Sequence, residues 1–161
     1  MSLDPQLSSQ LLLAFAGTLM GALFGGFVRW GGTTRERRLK LTLDLYNEFQ
    51  DPLFYHVREL AHAALEQHGS LPAAYSAVDG EAREAVASMV HFWEKAAQLM
   101  RIGALDEALM RRFFAQYARW WDELLCEKRD ALKDEEWGAT LRDIDWLFTR
   151  LKRGERQGRR R

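Results

Sequence analysis

The sequence predicts an all-α chain: one N-terminal transmembrane helix followed by an antiparallel bundle of about four helices. Three observations predict it. Residues Leu11 to Val28 hold no charge, and as a helix that run is about 27 Å long, close to the hydrocarbon thickness of a bilayer. Beyond it, apolar residues recur at spacings of three and four, the period of a helix with one buried face. The chain also carries 3 Pro in 161 residues and is rich in Ala, Leu, Glu and Arg, whose side chains lose little rotamer freedom in a helix. A mean hydropathy of -0.35 with 47% apolar residues excludes a multi-span protein, so the apolar residues are concentrated in one run and in stripes.

A cleaved signal would need a basic start and a small-residue cleavage site. Here only Asp4 precedes the run, which exits into Arg29 and Trp30. Arg29, Arg35, Arg37, Arg38 and Lys40 follow the run and no Lys or Arg precedes it. The basic side stays in the cytoplasm, so the N-terminus is expected outside the inner cell membrane, with Trp30 at the inner headgroup boundary. The expected layout is a short extracytoplasmic tail over residues 1–10, a span over 11–30, a cytoplasmic helical bundle over 31–152 and a basic tail over 153–161. Gly17, Gly21 and Gly25 lie four apart on one face of the span, where bare backbones let a second helix approach; they are the candidate helix–helix association residues.

The first cytoplasmic helix is predicted over Thr34–Gln50, with Leu39, Leu43, Tyr46 and Phe49 as its apolar stripe. Asp51-Pro52 reads as an N-cap with proline at the first helical position, restarting a helix through Val57, Leu60 and Ala64 to about Gln67. "GSLPAAYSAVDG", residues 69–80, reads as a loop lying on the bundle. Val86, Val90, Trp93, Ala97 and Met100 mark a helix stopped at Gly103. Asp106 caps the next helix, with Leu109, Phe113, Tyr117, Trp120 and Leu124 expected inside. The last helix starts near Glu135 and carries Leu141, Ile144, Phe148 and Leu151.

The zero net charge hides a pattern. Residues 29–40 hold five Lys/Arg and one Glu, residues 41–149 eleven Lys/Arg against twenty Asp/Glu, and residues 150–161 seven against one. A tail ending in Arg159, Arg160 and Arg161 gains about 1 kcal/mol per basic residue at an anionic leaflet, so membrane lipid is an expected partner. The acidic bundle argues against nucleic acid, because it repels phosphate.

Residues that could carry chemistry do not assemble into a site in the sequence. Glu59 and His62 form one E-x-x-H, and a carboxylate-bridged di-metal bundle needs a second. His56, His62, His68 and His91 lack zinc spacing, and Cys126 has no nucleophile elbow around it. No catalytic, cofactor or metal residues are assigned, and no small-molecule substrate. In "RRFFAQYARWW", Arg111 to Trp121, the period puts Phe113, Tyr117 and Trp120 in the core and Phe114 and Trp121 at its edge. Phe114 and Trp121 are therefore the candidate partner face.

The segment "HFWEKAAQLMRIGALDEALMRRFFAQYARWWDELL", residues 91–125, resembles the shared segment of a family of small single-pass bacterial membrane proteins of unknown function. Phe92, Glu94, Gly103, Leu105, Asp106, Phe114, Trp120 and Trp121 occupy its positions. The resemblance implies an anchor followed by a cytoplasmic helical domain, and no activity. Two functions are expected to compete. One is a membrane-anchored interaction module without catalysis that takes a protein partner or a second copy; the other is a membrane-perturbing stress or phage-response effector acting through assembled spans.

Overall fold

Asp51 ends one helix and starts the next. Its backbone N–H donates to the Glu48 carbonyl, and its carboxylate accepts from the N–H groups of Leu53 and Phe54 at 2.8 and 3.4 Å. Pro52 follows at the first helical position, where its missing N–H costs nothing. The computed structural model describes residues 34–125 and 137–158, with the side chains of the last helix described to Arg153. The chain divides into two compact units, Met1–Arg37 and Arg38–Arg161. Of the first, only residues 34–37 are described, all helical, with Arg35 and Arg37 exposed.

The second unit is helical throughout its regular structure, among the described residues. Residues 38–50 form α1, followed by α2 (Pro52–His68), α3 (Leu71–Ala77), α4 (Gly80–Arg101), α5 (Glu107–Leu125) and α6 (Gly138–Gly158). Gly69 closes α2 in the left-handed region at φ 71°, and its N–H donates to the Leu65 carbonyl. Gly103 does the same work after α4 at φ 67°. A Cβ there would meet nothing closer than Arg38 Nη2 at 3.7 Å, so backbone conformation rather than space calls for glycine. Asp106 caps α5 as the sequence predicts, its carboxylate accepting from Leu109 N–H at 2.9 Å.

The segment expected as a loop over residues 69–80 contains α3. Pro72 sits in its first turn, and Leu71 and Ala74 are fully buried, so a short helix that could not stand alone is held by docking. The core joins α2 to α4 and α6 to both α4 and α5. At its centre Phe49, Phe92, Trp93, Phe114 and Phe148 interlock, with Trp93 meeting Phe148 edge-on at 4.8 Å and Phe49 meeting Phe114 at 5.4 Å.

Two predicted stripes are corrected. On α1, Leu43 is exposed, whereas Thr42, Leu45 and Phe49 are buried. Thr42 goes in because it is fully satisfied: its hydroxyl donates to the Arg38 carbonyl at 2.7 Å and accepts from Asp106 N–H at 2.8 Å, tying α1 to the α4–α5 turn. On α5 the buried face is Met110, Phe114, Ala118, Trp121 and Leu125, one residue later than predicted. Ala118 within this face and Ala115 beside it are small, which lets α5 approach its neighbours closely and draws Phe114 and Trp121 inward. The stripes of α4 and α6 stand as predicted: Val86, Val90, Trp93, Ala97, Met100, Leu141, Ile144, Phe148 and Leu151 are all buried.

Among the described residues no helix is long and apolar enough to cross a membrane. The expected span over 11–30, with Gly17, Gly21, Gly25 and Arg29, lies outside them, as do Cys126 and the tail residues Arg159, Arg160 and Arg161.

Candidate functional site

Because α5 turns Phe114 and Trp121 into the core, the predicted partner face does not exist as such: both are 0% exposed. The same rotation pushes Trp120 out, to 41% exposure. Trp120 stacks on His62 of α2, ring centroids 4.4 Å apart and planes within 26°. His62, half of the E-x-x-H pair, is thereby used as an aromatic surface, with Nδ1 at 3.9 Å from Glu66.

One turn earlier on α2 lies Arg58, 8% exposed. Its guanidinium carbon sits 4.2 Å from the centre of the Phe49 ring, 5.1 Å from Tyr55 and 5.8 Å from Tyr117. Ring faces attract a cation but offer no lone pair in the guanidinium plane. Arg58 Nε has no hydrogen-bond partner, and none of the ion pairs among the described residues includes Arg58. A guanidinium this buried is ordinarily paired, because an unpaired charge out of water is costly. Tyr55, Arg58 and His62, at i, i+3 and i+7, lie along one side of α2, where Arg58 lies over Tyr117 and His62 stacks on Trp120 of α5. Gln50 Nε2 donates to the Tyr117 hydroxyl at 3.3 Å, bringing the end of α1 to the same place. Sequence reasoning missed Tyr55 and Arg58. The available signal was an arginine at helical spacing between the apolar positions Phe54, Ala61 and Leu65.

A second arginine cluster lines a cleft of about 330 Å³ where the α4–α5 turn meets α6. Arg101 and Arg150 lie over the Trp146 ring at 4.5 and 5.6 Å. Each has a carboxylate: Arg101 reaches Asp143 at 2.7 Å, and Arg150 reaches Glu107 at 2.7 Å. Glu107 also pairs with Arg111. The Arg150 hydrogen bond holds the Glu107 carboxyl below its ordinary value of 4.5, with the charges of both arginines acting against desolvation. Arg38 lines this cleft, and Arg38 and Lys40 of the predicted basic set are exposed.

A second cleft, of about 420 Å³, is lined by residues including His91, Glu94, Trp137 and Thr140. The Thr140 hydroxyl donates to Glu94 at 3.0 Å, and His91 lies 3.8 Å from the same carboxylate, a tie between α4 and α6.

The family described as a domain of unknown function (DUF4760) matches residues 16–125, a stretch that includes all of α1 to α5 and therefore every residue of the α2–α5 face. No curated protein and no solved structure matches the sequence.

Proposed function

We propose, for a chain that belongs to the DUF4760 family, the role of a membrane-anchored helical interaction module that docks a protein partner on the face shared by α2 and α5. One observation carries this reading. Among the residues of the segment 91–125 singled out in the sequence, Phe92, Leu105, Phe114 and Trp121 fill the core, Gly103 and Asp106 build the turn, and Glu94 ties α6. Trp120 differs: it is 41% exposed, stacked on His62 at the surface, on the α2–α5 face that also carries exposed Tyr55 and Arg58, which is unpaired among the described residues. Tryptophan, tyrosine and arginine are the residues that concentrate binding energy at protein interfaces.

The anchor in this reading is the uncharged run Leu11–Val28, with the basic residues after it facing the cytoplasm and the glycine face of Gly17, Gly21 and Gly25 available for a second span. No catalytic step is assigned to the bundle.

The test is a photo-crosslinking residue placed at position 120 of the full-length chain in its own membranes, with position 116, exposed on another side of α5, as control. Position 120 is expected to capture a defined protein that position 116 does not. Equal capture from both, or capture of copies of the chain alone, counts against the module. A collapse of membrane potential on overexpression would favour the effector, whose assembled spans perturb the bilayer.

A further inference from the structure

The unpaired Arg58 names the chemistry of the partner, an inference that rests on the docking role proposed above. We infer that Arg58 receives the carboxylate of an Asp or Glu presented by a protein segment lying across α2 and α5, with apolar and cationic side chains around that carboxylate. The guanidinium belongs to a residue only 8% exposed, so most of its water is already gone before anything binds. Its three rings hold the planar fork in place, with Phe49 fully buried behind it and only Tyr55, at 53%, exposed. Nε is buried without an acceptor and lies out of a ligand's reach, so a carboxylate arriving beside Tyr55 pairs with the Nη edge of a desolvated, oriented fork. It completes a charge-assisted, bidentate pair without the ordering cost a free surface arginine would incur.

The surroundings choose between anions. On the two helices Glu59, Glu66, Glu107, Asp122 and Glu123 only just outnumber Arg58, Arg111, Arg112 and Arg119, whereas residues 41–149 as a whole carry twenty Asp/Glu against eleven Lys/Arg. That field repels a polyanion such as a nucleic acid or an anionic bilayer, but accepts a single carboxylate flanked by cations. The stacked Trp120 and His62 then cover the apolar part of the same segment.

The experiment uses the full chain in detergent micelles, with arginine side-chain nitrogens labelled, and two synthetic amphipathic leucine–lysine peptides identical except for a central Glu or Gln. The Glu peptide is expected to move the Arg58 Nε–H resonance and to bind about tenfold more tightly than its Gln twin. Arg58→Lys keeps the charge but not the fork. It should abolish most of that preference while still unfolding cooperatively, which separates loss of recognition from loss of fold. Equal binding of the two peptides, no binding by the Glu peptide, or the same preference in Arg58→Lys overturns the inference. A shift produced by phosphatidylglycerol vesicles in place of the peptide makes the anion a lipid phosphate, and one that follows protein concentration makes it a second copy; either overturns it. The two proposals fail separately. Peptide preference with no capture at position 120 sinks the docking role in the membrane, whereas capture without peptide preference sinks the carboxylate alone.

Discussion

Two arginine–aromatic clusters in one small bundle have opposite electrostatic finishes. At the α4–α5 turn, Arg101 and Arg150 lie over the indole of Trp146 and each also holds a carboxylate, Asp143 and Glu107. Between α2 and α5, Arg58 is more deeply buried among three rings and holds none. The stacking is the same chemistry in both places, so stacking by itself does not say what an arginine is for. The carboxylate does. A paired, half-exposed arginine closes a joint between helices, and an unpaired, desolvated one leaves an interaction unmade within the chain.

The largest effect bearing on this contrast lies next to the unpaired site. Trp121→Ala is expected to cost about 3–5 kcal/mol by thermal or denaturant unfolding, as a large buried ring leaves a cavity, whereas Trp120→Ala should stay within about 0.5 kcal/mol. Similar losses for both would mean that Trp120 is core and the docking face is not real. Next comes Arg58→Met, which removes a buried charge with no counterion among the described residues and should leave stability unchanged or raise it by about 1–2 kcal/mol. Arg101→Met should lower it, by about 0.5 kcal/mol given its exposure. If both substitutions destabilise alike, Arg58 is a structural residue and the two clusters do not differ in purpose.

Asp106→Ala, which removes the α5 cap at the paired site, should cost about 1 kcal/mol. Smallest is Glu107→Gln. Because the folded protein holds the Glu107 carboxyl below its ordinary value of 4.5, its contribution is fully present above that value and is lost as pH falls through the folded-state value. The difference between wild type and Glu107→Gln in chemical denaturation should therefore be seen at neutral pH and close in acid. A difference that persists in acid would mean the pair owes nothing to charge.

Much of the helical frame is legible in the sequence alone. Asp51, Gly69, Gly103 and Asp106 act through their nearest neighbours in the chain, so the caps and stops can be read directly, and the buried faces of α4 and α6 are broad enough to hold the predicted stripe together with neighbours such as Phe92 and Leu147. Phe113-Phe114 and Trp120-Trp121 are different. Adjacent positions on a helix are about 100° apart, and each pair offers two stripes of equal period, so periodicity places the buried face of α5 only to within one residue. The candidate partner face failed on that single step.

The all-helical frame, and the caps and turns that order it, thus follow from the chain's own residues, because local backbone chemistry needs only near neighbours. Which aromatic of each pair is buried depends instead on packing, since the small Ala115 and Ala118 set how closely α5 approaches the helices around it. The burial of Arg58 as a cation has the same origin. Phe49 and Tyr117, whose rings flank it, come from other helices, so the charge belongs to the residue but its exposure belongs to the assembled neighbourhood.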